Sequence, residues 1–172
     1  FAVAIENEKI VATAFSPNER KTLGFLLDYL PYNEPFKVAE EPNPFSIELL
    51  KTLKAIWDGK EVSSSFEMAM DYLPRYSQKV LKNTSLIPIG YLTTYGAISK
   101  IVGGSPRAVG RSLALNPFPL LIPCHRVVCS DFSIGGYGLG EEIMLELLRR
   151  EDRGYKEPVK IEINDKALPL FP

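Results

Sequence analysis

One short segment carries start and stop signals for two helices joined by a glycine turn. Thr93 or Thr94 can cap a helix that runs to Val102, and Gly103-Gly104 supplies the turn. Ser105-Pro106 then starts the second helix, because serine is a preferred cap and proline is favoured at the first helical position. Two short helices across a glycine turn are typical of a helix-turn-helix motif.

The second of these helices is small and basic on its exposed side. It carries Arg107 and Arg111 among small residues before Asn116-Pro117 stops it. A slim helix lets its backbone approach a DNA groove closely while arginines contact phosphates. The pattern favours nucleic-acid binding, with an ordinary helical hairpin as the alternative.

Charge is unevenly distributed, although the net charge is only −1. Residues 79–130 contain no Asp or Glu, whereas residues 1–78 and 131–172 are both acidic overall. The basic residues of this block are Lys79, Lys82, Lys100, Arg107, Arg111 and Arg126. A basic block around a helix-turn-helix motif is the pattern expected of a DNA-binding surface, and a solvated face is the alternative.

The composition is that of an ordinary globular protein, with 45% hydrophobic and 24% charged residues. No apolar run is long enough to span a membrane and the first residues do not form a signal-peptide core, so we expect a soluble, cytoplasmic protein. Two cysteines and one histidine are too few for a four-ligand zinc site, so no structural metal is expected. Because no secretory signal is recognised, the cysteines are expected to be free thiols.

The first part of the chain reads as a small α/β unit. Residues 1–5 and 10–15 alternate as the two strands of a hairpin, and a helix is expected over residues 22–30. Prolines in residues 31–45 exclude a continuous helix and indicate an extended connector. Ser46 is then expected to cap a further helix.

The domain organisation follows from a break at Tyr72-Leu73-Pro74. We expect a supporting α/β domain over residues 1–75 and the helix-turn-helix domain over residues 76–155. The tail, residues 156–172, contains alternating apolar residues and is expected to be an extra strand or a linker.

Beyond the helix-turn-helix segment, residues 120–128 read as an apolar strand that Pro123-Cys124-His125 interrupts. A lone cysteine in apolar surroundings is usually an inert core thiol. Here His125 and Arg126 follow Cys124 directly, and both can favour the thiolate, which is the nucleophilic form of sulfur. Cys124 is therefore the candidate nucleophile.

A carboxylate is available to orient this histidine. Residues 141–151 read as a helix, and Glu151 falls on its apolar face. Because a buried carboxylate needs a partner, we expect Glu151 to hold the His125 imidazole ready to accept the proton of Cys124, directly or through a water. A solvated Glu151 at a frayed helix end is the alternative.

Several motifs occur together in this part of the chain: Ile87-Pro88-Ile89-Gly90, Thr94-Tyr95, Arg107-Ala108-Val109-Gly110, Asn116-Pro117 and Pro123-Cys124-His125-Arg126-Val127. With them the sequence resembles the O6-alkylguanine-DNA alkyltransferases, also called methylated-DNA–protein-cysteine methyltransferases, from about residue 76 to 154. The first 75 residues match only in general layout. The resemblance implies an α/β (α+β) fold, in which a small N-terminal α/β domain with an antiparallel, RNase H-like hairpin precedes a mostly helical winged helix-turn-helix domain.

The function that the resemblance implies is direct-reversal DNA repair. A methyl or alkyl group would pass irreversibly and stoichiometrically from O6-alkylguanine, and less efficiently from O4-alkylthymine, to Cys124. The target base would be flipped out of the duplex while the protein binds the minor groove. The implied partner is double-stranded DNA carrying O6-alkylguanine, the implied protein is a monomer away from membranes, and no cofactor or metal is implied.

The resemblance assigns a role to each side chain around the thiol. Cys124 would be the alkyl acceptor, His125 its base through a water, and Glu151 the residue that orients the histidine. Asn116 would support the active-site turn. Tyr95 would donate a hydrogen bond to guanine N3 as the purine leaves.

Further residues would bind the base and the duplex. The implied pocket residues are Leu113, Val127, Tyr137 and Gly138, and the implied DNA-binding residues are Thr94, Ser105, Arg107, Ala108 and Arg111. Arg107 would be the finger that fills the gap left by the flipped nucleotide. The carbonyls of Cys124 and Val127 would recognise the guanine amino group.

The chain departs from the family pattern after Tyr137. The family often has serine at the next position, but this chain has Gly138, so only the Gly138 amide is left to contact guanine O6. Leu139 follows, and we expect it to narrow the pocket against bulky alkyl groups.

Two other functions are alternatives. A winged-helix DNA-binding module would bind DNA and leave Cys124 unmodified, whereas a Cys-His hydrolase would turn over its substrate repeatedly. The hydrolase fits poorly, because adjacent side chains of an extended chain point to opposite sides and a direct pair of Cys124 with His125 would need a special turn.

Overall fold

The computed structural model describes residues 1–30, 35–63, 65–154 and 156–172. These residues form a mixed α/β protein with two-stranded sheets, and none of their helices is long and apolar enough to cross a membrane. The elements in chain order are β1 (Ala2–Glu6), β2 (Lys9–Ala14), α1 (Glu19–Tyr29), α2 (Pro44–Trp57), α3 (Arg75–Thr84), β3 (Thr93–Thr94), α4 (Tyr95–Val102), α5 (Pro106–Ala114), a 3₁₀ turn (Cys124–Arg126), β4 (Val127–Val128), α6 (Glu141–Glu151), β5 (Val159–Ile163) and β6 (Lys166–Leu170).

The described residues fall into two compact units. The first comprises Phe1–Tyr72 and Pro117–Leu121, and the second comprises Leu73–Asn116 and Ile122–Pro172. The domain boundaries near residues 75 and 155 stay a prediction, because compactness alone does not show that a segment folds independently. Residue 155 itself lies outside the described residues.

The first unit contains the predicted hairpin. Strands β1 and β2 pair antiparallel, and the turn is tighter than expected because Glu6 and Lys9 already pair. Asn7 and Glu8 both have positive φ, at 49° and 60°, as a two-residue type I′ turn requires. The buried face of β2 packs against α1.

An asparagine sets the start of each helix in the first unit. Asn18 caps α1, which therefore begins three residues before the expected start at residue 22. Asn43 caps α2 by accepting a hydrogen bond from the backbone N–H of Ser46, the residue that we expected to be the cap. Asparagine caps as well as serine does, so α2 begins inside the predicted connector. Within that connector, residues 31–34 lie outside the described residues.

The helix-turn-helix segment of the second unit is confirmed. The side chain of Thr94 accepts from the Ala97 N–H and caps α4, and that of Ser105 accepts from the Ala108 N–H and caps α5. Gly103 between them has a φ of 87°, a conformation that glycine adopts without the steric cost of a Cβ. The turn and both helix starts are thus set locally by the sequence.

The tail forms a hairpin in the second unit. Strands β5 and β6 pair antiparallel with Val159 opposite Leu170. Leu168 and Leu170 are buried, with 0% and 1% of their surface exposed. Of the two alternatives for the tail, a strand is therefore correct and a linker is wrong.

Candidate active site

The candidate nucleophile lies in a tight turn. Cys124–Arg126 form a 3₁₀ turn in which the N–H of Val127 donates to the carbonyl of Cys124. Val127 then pairs with Thr93, in the parallel pair of β4 with β3. The expected interruption of the apolar segment at Pro123-Cys124-His125 and the strand at Val127-Val128 are thus present, whereas residues 120–122 lie outside the strands. Because Cys124 and His125 lie in a 3₁₀ turn, their side chains are not constrained to opposite sides as they would be in an extended strand.

Burial and hydrogen bonds have opposite effects on the pKa of the Cys124 thiol. Cys124 is only 8% exposed, and Nδ2 of Asn116 donates to its Sγ across 3.2 Å. Burial raises the pKa of Cys124, although Asn116, the Tyr137 hydroxyl and nearby backbone amides lower it in part. The resting group is thus a thiol at neutral pH. The net shift in the pKa of Cys124 is therefore opposite to the one that its neighbours His125 and Arg126 were expected to favour.

His125, Glu151 and Arg126 form a buried charged network. Nε2 of His125 lies 3.0 Å from Oε1 of Glu151. Arg126 donates to both carboxylate oxygens, from Nε to Oε2 at 2.8 Å and from Nη2 to Oε1 at 2.7 Å, and its Nη1 donates to the carbonyl of Ile87 at 2.5 Å. Glu151 is 2% exposed, so the solvated alternative for this residue was wrong. Arg126 was expected in the exposed basic block, but its guanidinium is committed to this network.

The network fixes the protonation of the histidine. A carboxylate only accepts hydrogen bonds, so Nε2 of His125 carries the proton and Nδ1 is left as the acceptor. Nδ1 is buried and has no hydrogen-bond partner among the described residues. Burial lowers the pKa of His125 although Glu151 raises it in part. Burial would raise the pKa of Glu151, but the hydrogen bonds from His125 and Arg126 outweigh it and lower that pKa to about 2. The imidazole is therefore neutral, and its partner is anionic.

Tyr95, the first residue of α4, supplies a hydroxyl that lies against Gly135. A Cβ added at Gly135 would lie 2.7 Å from this hydroxyl, so the glycine permits the close approach. Burial raises the pKa of Tyr95, and negative charge on Cys129 or Cys124 raises it further. The hydroxyl thus stays protonated and can donate a hydrogen bond.

Three of the residues predicted to line the pocket lie on different elements. Val127 is buried directly after the 3₁₀ turn. Leu113 is buried on α5, and its carbonyl accepts from the N–H of Asn116 at 3.1 Å. Gly138 is exposed in the loop before α6, whereas Leu139 is 7% exposed.

Helix α5 carries the predicted DNA-binding arginines. Arg107 and Arg111 are exposed, and Ala108 is half-buried. Thr94 and Ser105 use their side-chain oxygens as helix caps. The two arginines are thus the charged groups that α5 offers to a partner.

The site offers a buried thiol, a neutral imidazole and a hydroxyl donor. Both Cys124 and Cys129 are free thiols. No group of three or more His, Cys, Asp and Glu side chains in the described part of the chain could hold a metal ion. A thiol nucleophile beside a base and a proton donor can displace a leaving group from an electrophilic carbon.

Proteins with similar sequences carry one activity in their names. A profile described as "6-O-methylguanine DNA methyltransferase, DNA binding domain" matches residues 75–153. The methylated-DNA–protein-cysteine methyltransferase of Methanocaldococcus jannaschii is 40% identical over 121 residues, which are 70% of this chain and 67% of that protein. The chain belongs to the O6-methylguanine-DNA methyltransferase family. The methyltransferase of Methanothermobacter thermautotrophicus is 40% identical over 111 residues, which are 63% of this chain but only 62% of that relative.

Solved structures of O6-methylguanine-DNA methyltransferases show the same fold. The enzyme from the hyperthermophilic archaeon Pyrococcus kodakaraensis strain KOD1 has a TM-score of 0.69 and 25% identity, and the match covers 85% of this chain and 88% of that one. Mycobacterium tuberculosis OGT in complex with DNA has a TM-score of 0.62 and 25% identity, covering 87% and 84%. The family resemblance and the mixed α/β fold are thus confirmed.

The role of Arg126 as a partner of Glu151 had no signal in the sequence. Arg126 follows the histidine in a basic block, a position typical of a surface cation. Only the fold places it beside Glu151 and Ile87, which are distant along the chain. Glu151 therefore has two partners, where the sequence suggested one.

Proposed function

We propose that this member of the family repairs O6-alkylguanine in double-stranded DNA by transferring the alkyl group to Cys124. The observation that carries the proposal is the buried thiol, which Asn116 holds in the same compact unit as the arginine-bearing helix α5. The names of the relatives, which are methylated-DNA–protein-cysteine methyltransferases, support it. We include O4-alkylthymine as a poorer substrate.

In the proposed reaction, Sγ of Cys124 attacks the alkyl carbon. A carbon–sulfur bond forms as the bond from that carbon to guanine O6 breaks, and the electron pair of the broken bond stays on the purine. The thiol proton passes to Nδ1 of His125, directly or through a water, and Glu151 stabilises the imidazolium. Tyr95 donates a hydrogen bond to guanine N3 and so stabilises the departing anion. The thioether has no easy hydrolytic exit, so each protein molecule acts once.

Cys124 can reach the damaged base only if the base leaves the stacked duplex, which costs about a few kcal/mol. We assign this step to α5 in the minor groove. The exposed Arg107 fills the gap left by the nucleotide, and Arg111 contacts a phosphate. Leu113, Val127, Tyr137 and the Gly138 amide would line the pocket that receives the base.

The protein is proposed to act as a monomer in the cytoplasm. Every side chain that the mechanism uses comes from one chain. The proposed chemistry needs a reduced thiol, which the cytoplasm maintains.

The deciding experiment is mass spectrometry after incubation with a duplex that contains O6-methylguanine. We expect an adduct of about 14 Da on the Cys124 peptide that saturates at one per protein. The adduct should be absent in Cys124→Ser and unchanged in Cys129→Ser, the matched control for the second cysteine. A bound duplex with unmodified Cys124 would contradict transfer and favour a DNA-binding module. Repeated release of methanol would favour a hydrolase.

A further inference from the structure

The C-terminal hairpin, β5 with β6, lies outside the segment that matches the family profile, which ends at residue 153. Two leucines of β6 are nevertheless among the most buried side chains of the second unit: Leu168 and Leu170. The hairpin is therefore part of the core of the second unit, the unit that also contains Cys124.

One set of contacts joins the tail to the strand that leads into α4. Leu92 and Phe171 exchange backbone hydrogen bonds of 2.6 Å and 2.8 Å. The Thr93 hydroxyl donates to the carbonyl of Pro169 at 2.7 Å. Because Tyr95 begins α4 directly after β3, the tail fixes the backbone that carries the Tyr95 hydroxyl.

The tail also contacts the far end of α4. Nζ of Lys166 donates to the carbonyls of Lys100 and Ile101, at 3.0 Å and 3.1 Å. A cation at the C-terminal end of a helix satisfies free carbonyls and complements the helix dipole. Helix α4 is thus held by the hairpin at both ends.

A different contact joins the tail to the loop that follows the reactive turn. The rings of Phe132 and Phe171 meet edge to face, with centroids 5.1 Å apart and planes at 84°. Phe132 has a φ of 61°, which is strained for a bulky residue and persists only where the surroundings hold it. Hydrogen bonds between Cys129 and Ser133 and from Phe132 to Cys129 close this loop. Among the described residues, Phe171 is the only aromatic residue whose ring contacts that of Phe132.

We propose that the C-terminal hairpin is a positioning element of the site, in which Phe171 couples the start of α4 to the loop of residues 129–133. A Cβ added at Gly135 would lie 2.7 Å from the Tyr95 hydroxyl, so this hydroxyl lies against the chain just beyond the loop that begins at Cys129. The hairpin thereby sets where the Tyr95 hydroxyl stands relative to Cys124. The inference rests on the proposed alkyl transfer for its kinetic consequence but not for its structural one.

The test compares Phe171→Leu and Phe132→Gly with Val159→Ala, an exposed apolar residue of the same hairpin. Glycine tolerates the positive φ of residue 132, so Phe132→Gly removes the ring without straining the fold. We expect both variants to slow single-turnover methyl transfer about tenfold, because small misplacements of reacting groups are costly, while the dissociation constant for DNA stays unchanged. Phe171→Tyr keeps an aromatic ring and should therefore transfer the methyl group at the wild-type rate, as should Val159→Ala.

The double variant of Phe132→Gly with Phe171→Leu should be no slower than either single variant, since both break one contact. Additive losses, or rates that stay at the wild-type value in folded variants, would overturn the proposal. Hydrogen exchange of residues 129–136 is read in parallel. Faster exchange in Phe171→Leu but not in Val159→Ala supports the coupling even if the wild type transfers no methyl group, and unchanged exchange refutes it.

Discussion

Nδ2 of Asn116 donates hydrogen bonds to Sγ of Cys124 and to the carbonyl of Ile122, each across 3.2 Å. Asn116 lies two residues beyond the end of α5, so one amide joins the end of the proposed DNA-binding helix to the reactive turn. The same amide opposes the effect of burial on the thiol. Removal of the Asn116 amide should therefore change the reactivity of Cys124 more than the stability of the fold.

Asn116→Ala should slow methyl transfer by about tenfold or more, because a hydrogen bond to a charged group contributes roughly 1.5–3 kcal/mol. The pH at which iodoacetamide alkylates Cys124 should also move upward, since the thiolate loses a donor. Peptide mass spectrometry over a pH series measures this shift. An unchanged pH profile would show that the amide does not stabilise the thiolate.

Cys124 should react as a thiol with a raised pKa. Burial raises the pKa of Cys124 above its ordinary value of 9.0, so the thiolate fraction grows through neutral and mildly alkaline pH. The alkylation rate should rise steadily up to pH 9 without levelling off. Measurements in a Cys129→Ser background assign the signal to Cys124. A plateau below pH 8 would mean that the site holds a thiolate after all.

Stability should fall on acidification in two ranges. The pKa of His125 is lowered from 6.5, so neutral His125 contributes to the free energy of unfolding above pH 6.5. This contribution is lost as the pH falls below 6.5. The pKa of Glu151 is lowered from 4.5 to about 2, so its contribution is present above pH 4.5 and is lost between pH 4.5 and 2. For Glu151 the loss is on the order of 3 kcal/mol. Urea unfolding at a series of pH values measures both.

Glu151→Gln should destabilise the protein at neutral pH by about 3–5 kcal/mol, because the buried guanidinium of Arg126 loses its charged partner. Its stability should then depend less on pH between 4.5 and 2. Glu146→Gln is the matched control, since Glu146 pairs with Arg150 on the same helix but is 39% exposed. Equal losses in the two variants would contradict a special role for the buried network.

Arg107→Ala should slow transfer from O6-methylguanine in a duplex much more than in a single strand. The reason is that an unpaired base needs no wedge to stay outside the stack. Arg20→Ala, an exposed arginine of α1, is the control for a general charge effect. Equal slowing on both substrates would assign Arg107 to phosphate contacts alone.

Local features of the fold could be predicted from the sequence because their determinants lie within a few residues. Thr94, Ser105 and the glycine turn fix the helix-turn-helix segment through caps and a positive φ. Helix α6 has the predicted bounds, and its apolar face correctly indicated that Glu151 is buried. The starts of α1 and α2 were misplaced because an asparagine cap lay upstream of the residue expected to begin or cap each helix.

The sequence by itself determined which residues could react: one histidine, a cysteine beside it and a carboxylate on an apolar helix face. Only the tertiary structure decided how they are charged and held. Arg126 and Ile87 meet across 39 positions of the chain, and Phe132 and Phe171 likewise meet only in the fold. Burial of the Cys124 thiol, which sets its pKa, comes from packing that no local pattern encodes. Hydrogen bonds within one helix turn depend on residues that are neighbours in the sequence. Desolvation, and contacts between residues distant in the sequence, depend on the whole chain being folded.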